Sequence, residues 1–313
     1  MNRWIFKTCI SLILLFVVTV CVTPVLISNR AFAIPQDVAE SVNSSNYWTP
    51  KVNTSWHWQI NGNVKTSVNA DVYDIDLFGN SEQEVEQVVE ELHRDGRHVI
   101  CYINVGAWEE WRSDADDFPK EVRGNPYVGF TEEGEREEWL DIRSDVVRQI
   151  MDKRLQECKD RGFDAVEPDN IDSYDDPEGQ IPEEKTGFSI TKEDQIKYDA
   201  WLIEKAHSLG LSIGMKNDQG NVKSTTENGD QLEDLFDWAL TEDCFAQGWC
   251  EEMEPFIRKG KAVLAAEYID DGKEVDKEVD KFTNQVCPKA KQLNFSTLLL
   301  DRDLNTKPLA TCS

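Results

Sequence analysis

Through residues 51–313 one unit recurs, and it leaves few folds open: an amphipathic helix, a glycine, then a short apolar run ending in acids. "SEQEVEQVVEELHRDG" opens with Ser81 and Glu84 at capping-box spacing and carries Val85, Val88, Val89 and Leu92 on one face. Gly96 ends it and "RHVICYINVG" follows. "SDVVRQIMDKRLQECKDRG" aligns Val147, Ile150, Met151, Leu155 and Cys158, stops at Gly162 and runs into "FDAVEPDN". "TKEDQIKYDAWLIEKAHSLG" precedes "LSIGMKND". Three further apolar runs end in acids, "LFDWALTEDC", "KAVLAAEYID" and "FSTLLLDRDL", and two lie upstream, "SWHWQI" and "DVYDIDLF". Serial β–α order implies parallel strands with right-handed crossovers. Eight such strands in ~250 residues predict an α/β fold of the closed (β/α)8, TIM-type class. An open doubly wound sheet is the competing layout, but no glycine-rich phosphate loop follows the first strand. The gap "NGNVKTSVNA" is too short for an ordinary helix, so the first unit is degenerate. Residues 106–136 form an insertion after strand three, expected to cap the site.

The N-terminus reads as something other than fold. "MNRWIFK" is basic, the following run is apolar, and "AFA" at 31–33 fits a cleavage site, so residues 1–33 are read as a signal peptide. An uncleaved anchor is the alternative. Residues 34–50 are polar with proline near both ends and read as a linker, leaving 51–313 as one barrel domain. A secreted or periplasmic location follows, with no membrane association after cleavage. Six cysteines then remain in an oxidising compartment. Cys244–Cys250 around a tight loop and Cys287–Cys312 at the C-terminus are the expected bridges; Cys101 and Cys158 are a third bridge or two buried thiols. No C-x-x-C and only four histidines argue against zinc or redox chemistry, so neither metal nor cofactor is expected. The formal charge is −27, and removal of 1–33 takes away three basic residues and no acid, leaving −30. That field repels nucleic acid and anionic membranes and attracts cations. Simple solubility is the blander explanation of the charge.

Barrel active sites form where the strands' C-terminal ends meet. Those ends present Gln59, Asp74, Asp76, Asn104, Glu167, Asp169, Lys216, Asp218, Glu242, Glu267 and Asp301. Glu167 and Asp169 share one face of a strand, with Glu167 deeper. Carboxylates this close need a compensating cation, for which Lys216 and Arg112 are the candidates. Paired carboxylates without histidine or metal spacing suit glycoside hydrolysis. Trp56, Trp58, Trp108, Trp111 and Tyr174 are candidates to stack on sugars, with core packing as the alternative for each. "DNIDSYDDPEG" lacks the glycine offset of an EF-hand, and no G-x-S-x-G elbow supports serine chemistry. Asp175, Asp176 and Glu178 read as a solvated loop.

The blocks "WHWQI", "DVYDIDLF", "VICYINVGAWEEWR", "EWLDIRS", "GFDAVEPDNID", "AHSLGLSIGMKND" and "FDWALTEDC", in this order from Trp56 to Tyr268, resemble glycoside hydrolase family 114, the endo-α-1,4-polygalactosaminidases and relatives. The resemblance implies a (β/α)8 barrel and a polysaccharide partner, a cationic amino-sugar polymer. It implies that the catalytic carboxylates are Asp169 of "EPDN" and Glu242 of "TEDC". By analogy with retaining α-glycosidases, Asp169 is the nucleophile and Glu242 the acid/base. The candidate substrate-binding residues are Asp74, Asp76, Trp111, Arg112, Glu167, Asn170, Asp172, Lys216, Asn217 and Glu267. The sequence departs from the family at "INVGAWEEWR", at "EDC" in place of "EQC", and in longer loops after Asp172 and Asp218. A monomer is expected. A non-hydrolytic polysaccharide-binding barrel and an α-galactosidase-like enzyme on neutral sugars are the competing functions.

Overall fold

In a computed structural model of the chain, the described residues are 47–79, 84–127, 136–174, 185–269 and 272–312. The expected signal peptide, the linker through 46, Ser81 of the expected capping box, and Asp175, Asp176 and Glu178 lie outside them. Each apolar run of the sequence becomes a strand of one sheet. The strands are β1 (Trp56–Gln59), β2 (Val72–Asp76), β3 (His98–Asn104), β7 (Ala165–Asp169), β8 (Ser212–Lys216), β9 (Trp238–Glu242), β10 (Val263–Tyr268) and β11 (Ser296–Leu300). They pair in that order and all in parallel. A short antiparallel strand, β12 (Ala310–Thr311), follows on β11. The indole N–H of Trp56 on β1 donates to the Ser296 carbonyl on β11 at 2.9 Å, joining the first and last parallel strands. The chain is thus a (β/α)8 barrel.

Pleat parity sorts the side chains. Inward positions supply Trp58, Ile100, Trp238, Leu240, Leu264, Leu298 and Leu300 to a cluster inside the barrel. Gly214 on β8 makes room for it: a Cβ there would lie 2.6 Å from the Trp238 ring, which is fully buried. Outward positions pack under the helices. Helix α1 (Val85–Arg94) buries Val85, Val88, Val89 and Leu92, and α2 (Asp145–Asp160) buries the five predicted residues and also Arg154. Helix α3 (Lys192–Ser208) begins with a reciprocal Thr191–Asp194 capping box. Gly96, Gly162 and Gly210 end these helices with positive φ. Between β1 and β2 no helix occurs among the described residues; that loop's carbonyls instead accept Gln59 Nε2 and the Tyr73 hydroxyl.

The insertion has structure of its own. Strands β4 (Ala107–Glu109), β5 (Arg123–Pro126) and β6 (Glu137–Leu140) form an antiparallel sheet in the order β4-β6-β5, so it extends to Leu140 rather than 136. Buried Arg154 ties it down, gripping Asp114 through two N–H groups at 2.8 Å and the Asn104 carbonyl at 2.6 Å. At the other end of the barrel, Tyr47 and Trp48, inside the expected linker, stack on His207 and His98. Disulfides join Cys101–Cys158, Cys244–Cys250 and Cys287–Cys312, so Cys101 and Cys158 form a third bridge. Among the described residues no helix is long and apolar enough to cross a membrane.

Candidate active site

The site begins with the last residue of three adjacent strands. Asp169 closes β7, Lys216 closes β8 and Glu242 closes β9. The next residue in each case, Asn170, Asn217 or Asp243, takes positive φ, between 50 and 61°. Asn and Asp tolerate this region better than other non-glycine residues. The sharp turn leaves the preceding side chain at the mouth rather than in a continuing strand.

Lys216 sits at the centre. Its ammonium lies 2.7 Å from Glu167 Oε1, 3.0 Å from Asp169 Oδ1 and 3.3 Å from Glu242 Oε2. Below it is the Trp58 ring, 4.8 Å away. Burial alone would lower its pKa, but Asp169, Glu167 and Glu242 around it hold it well above the ordinary lysine range. The two outer carboxylates have further donors. Tyr102 Oη donates to Asp169 Oδ2 at 2.8 Å, and Tyr268 Oη to Glu242 Oε1 at 2.5 Å. Burial, and then the neighbouring carboxylates, push both phenols up, so they stay protonated donors. Asn217 clamps Glu242 doubly: Nδ2 donates to Oε2 at 3.1 Å, and Oδ1 accepts the Glu242 backbone N–H at 2.8 Å. Asp169 and Glu242 are partly exposed, at 20 % and 30 %, whereas Lys216 is buried.

The remaining candidates divide. Asp74 and Glu167 are brought to the cluster and lie beneath it, fully buried. Arg112 compensates other acids: it pairs bidentately with Glu109 and at 2.7 Å with Asp76, while Asp76 also caps the Phe78 and Gly79 amides. Asn170 faces Asn104, not the opening, and its carbonyl packs where a Cβ on Gly106 would clash at 1.8 Å. Asp172 lies just beyond β7, half-buried, its charge felt by Tyr127 of the insertion. Glu267 is a correction. Its neighbours Ala266 and Tyr268 face inward, so Glu267 faces out, and it accepts the Phe245 and Ala246 amides at 2.8 and 3.0 Å. Burial pushes it up to about 7.

Of the candidate stacking aromatics, Trp111 is exposed, at 43 %. Trp56, Trp58 and Trp108 are buried, and Tyr174 donates to Asp218 at 2.7 Å. The extra charge of "EDC" is turned aside, since Asp243 accepts the Tyr268 amide and pairs with Arg302 at 3.2 Å. Cys244, Cys250 and Glu267 are close enough to hold an ion, but the sulfurs are bonded to each other and the carboxylate caps amides. An open groove of about 470 Å³ borders the loops after β8 and β9, with Gln219, Lys223, Trp249 and Glu252 in its wall.

Tyr102, Tyr268 and Glu137 were not anticipated. The two tyrosines had a usable signal, because each lies two residues from another inward position on its strand. Glu137 had none, coming from β6 to accept Asn104 Nδ2 at 3.0 Å. Burial, then Glu109 and Asp169, raise it to about 8.

Two partly exposed carboxylates that share a lysine at the mouth of a (β/α)8 barrel are the kind of acid pair glycoside hydrolysis uses. The model of glycoside-hydrolase family GH114 matches residues 38–312, and the chain belongs to that family and is a glycoside hydrolase. Among solved structures it is similar to Ega3 of Aspergillus fumigatus in complex with galactosamine. Identity is 32 %, the TM-score is 0.68, and 82 % of this chain and 95 % of that one are covered. It is also similar in fold to the glycoside hydrolase domain of PelA from Pseudomonas aeruginosa, at 11 % identity and TM-score 0.56, covering 83 % and 98 %. No curated protein sequence matches at a significant level.

Proposed function

We propose that the protein is an exported hydrolase that cleaves α-1,4-linked galactosamine polymer with retention, using Asp169 as nucleophile and Glu242 as acid/base. The observation that carries this reading is the shared lysine. With Lys216 Nζ 3.0 Å from one carboxylate and 3.3 Å from the other, their nearest oxygens lie no farther apart than the sum, 6.3 Å. Two carboxylates drawn together on one ammonium support the close spacing of a retaining pair, ~5–5.5 Å, over the ~6.5–9.5 Å of an inverting pair that must admit a water. In the first step an Asp169 oxygen bonds to the anomeric carbon, the glycosidic C–O bond breaks, and protonated Glu242 gives its proton to the departing oxygen. In the second step Glu242 takes a proton from water, whose oxygen attacks the same carbon and releases Asp169. Lys216 and Tyr102 hold the aspartate, and Asn217 and Tyr268 hold the glutamate.

Galactosamine as the sugar is supported by the ligand of the Ega3 structure and by the charge of −27, which suits a protonated polyamine. The Trp249 groove offers room for flanking sugars, with Glu252 as a partner for an ammonium group. Three disulfides and the N-terminal segment support export, with a mature terminus near residue 34 in mass spectra of the secreted protein.

The test uses the purified mature protein on α-1,4-linked galactosamine oligomers of defined length. Shorter oligomers with α-configured reducing ends are expected, with KM rising as salt screens the polycation. Asp169→Asn should abolish cleavage with an unchanged circular dichroism spectrum. Azide should rescue Asp169→Ala as a β-glycosyl azide and Glu242→Ala as an α-glycosyl azide. Intact oligomers with wild type would sink the galactosamine reading, and swapped azide anomers would exchange the two roles.

A further inference from the structure

Asp74 and Glu167 have a bonding arrangement that a pair of ordinary carboxylates could not sustain. Both occupy inward positions, on β2 and β7, at 0 % and 1 % exposure. Glu167 Oε1 accepts from Lys216 at 2.7 Å. Glu167 Oε2 and both Asp74 oxygens are buried and, among the described residues, accept from no N–H or O–H group. The two carboxyl groups act on each other electrostatically, the charge of Glu167 favouring the protonated form of Asp74. Among the described residues the charged groups that act on them are Lys216 and Asp169, and the Tyr102 and Tyr268 phenols also feel the charge of Glu167. Lys216 is the one cation among the described residues acting on the pair, and it already bonds Glu167 and Asp169, so a second fully buried carboxylate charge on Asp74 would go unneutralised, which is strongly disfavoured at such depth.

We propose that Asp74 is a neutral carboxylic acid whose O–H donates to Glu167 Oε2, and that this singly ionised pair sets the height of Lys216 beneath the two catalytic carboxylates. Lys216 has three N–H groups and three carboxylates around it, at 2.7, 3.0 and 3.3 Å. A second negative charge below would draw the ammonium down from Asp169 and Glu242; a lower carboxylate without its proton donor would itself take up a proton and release the ammonium upward. Asp74 is therefore a positioning residue, touching no reacting atom. Burial, followed by the charge of Glu167, raises Asp74 well above the ordinary aspartate range, and Glu167 is raised to about 7, in keeping with a shared proton. The positioning role rests on the assignment of Asp169 and Glu242 above, whereas the protonation of Asp74 does not.

Two measurements separate these. In infrared difference spectra of wild type against Asp74→Asn at neutral pH, without substrate, the expected loss is the carbonyl band of a neutral carboxylic acid. Loss of an ionised carboxylate band instead would overturn the protonation. In kinetics, Asp74→Asn still offers an amide N–H to Glu167 and should keep kcat within about threefold. Asp74→Leu offers none, and should lower kcat by about 30-fold, the equivalent of ~2 kcal/mol, with KM little changed. It should also move the acidic limb of the kcat profile to higher pH, because Glu167 loses the hydrogen bond that favours its ionised form. Equal kcat for wild type and Asp74→Leu, or an equal fall in Asn and Leu, would overturn the positioning role. Should no galactosamine oligomer be cleaved by wild type, the infrared result alone decides the protonation, and the positioning role falls with the catalytic assignment.

Discussion

Tyr268 and Tyr102 give each outer carboxylate a phenolic donor, and these bonds explain how two acids remain in place so near one another. A hydroxyl-to-carboxylate bond in a buried setting is worth ~1.5–3 kcal/mol. Removing the Tyr268 hydroxyl in Tyr268→Phe frees one oxygen of Glu242 while the ring keeps its packing. A kcat reduction of about 10- to 100-fold is expected, with a smaller change in KM, no large loss of Tm, and steady-state kinetics as the check. A variant as active as wild type would show that the hydroxyl holds nothing the reaction uses. At this scale the sequence was legible where an acid or lysine ends an apolar run, as Asp169, Lys216 and Glu242 do. It was misleading where the partner comes from elsewhere in the chain. Arg112 is adjacent to Trp111 in a stretch expected over the mouth, yet Glu109 three residues earlier and Asp76 on β2 claim its guanidinium. No local spacing distinguishes those partners from Asp169.

The elements follow from period and punctuation. Each barrel strand was visible as an apolar run of about five residues, and β3, β7 and β8 also by the helix and glycine ahead of them. The insertion was visible only as a gap, because its sheet depends on antiparallel pairing of β6 with segments roughly 15 and 30 residues earlier and has polar residues on both faces. Pleat parity, in contrast, carries over directly to packing. Gly214 is the one inward position of β8 lying against the face of Trp238, and a methyl group 2.6 Å from that ring cannot fit without displacing the indole or the strand. Gly214→Ala should cost on the order of 1–3 kcal/mol by overpacking. Since β8 ends in Lys216, the displacement should reach the site as well. The expected result is a lower denaturation midpoint together with reduced kcat, read from a urea titration and initial rates on one preparation. Unchanged stability would mean that the barrel interior yields more readily than its packing implies.

For the whole molecule, the excess of acids has a thermodynamic sign that differs from the usual one. Several carboxyls are buried and held above their ordinary range chiefly by desolvation: Glu167 and Glu267 to about 7, Glu137 to about 8, and Asp74, Asp199 and Asp218 upward. In the unfolded chain these groups titrate near pH 4. Between about pH 4 and pH 7–8 the folded protein therefore binds more protons than the unfolded one, and stability falls as pH rises through that window. Repulsion among surface acids in a chain of −27 acts in the same direction but is screened by salt, while the buried groups are not. Calorimetric Tm should drop on the order of 5–10 °C between pH 5 and pH 8, with a part of that drop persisting in high salt. Glu267 isolates one contributor, because its carboxyl caps the Phe245 and Ala246 amides away from the Lys216 cluster. Glu267→Gln cannot ionise, so its stability should decline less steeply between pH 5 and 8 than that of wild type. A Tm that climbs from pH 5 to 8 would mean that these acids are ionised at little cost, and the neutral Asp74 beneath Lys216 would lose its energetic basis with them.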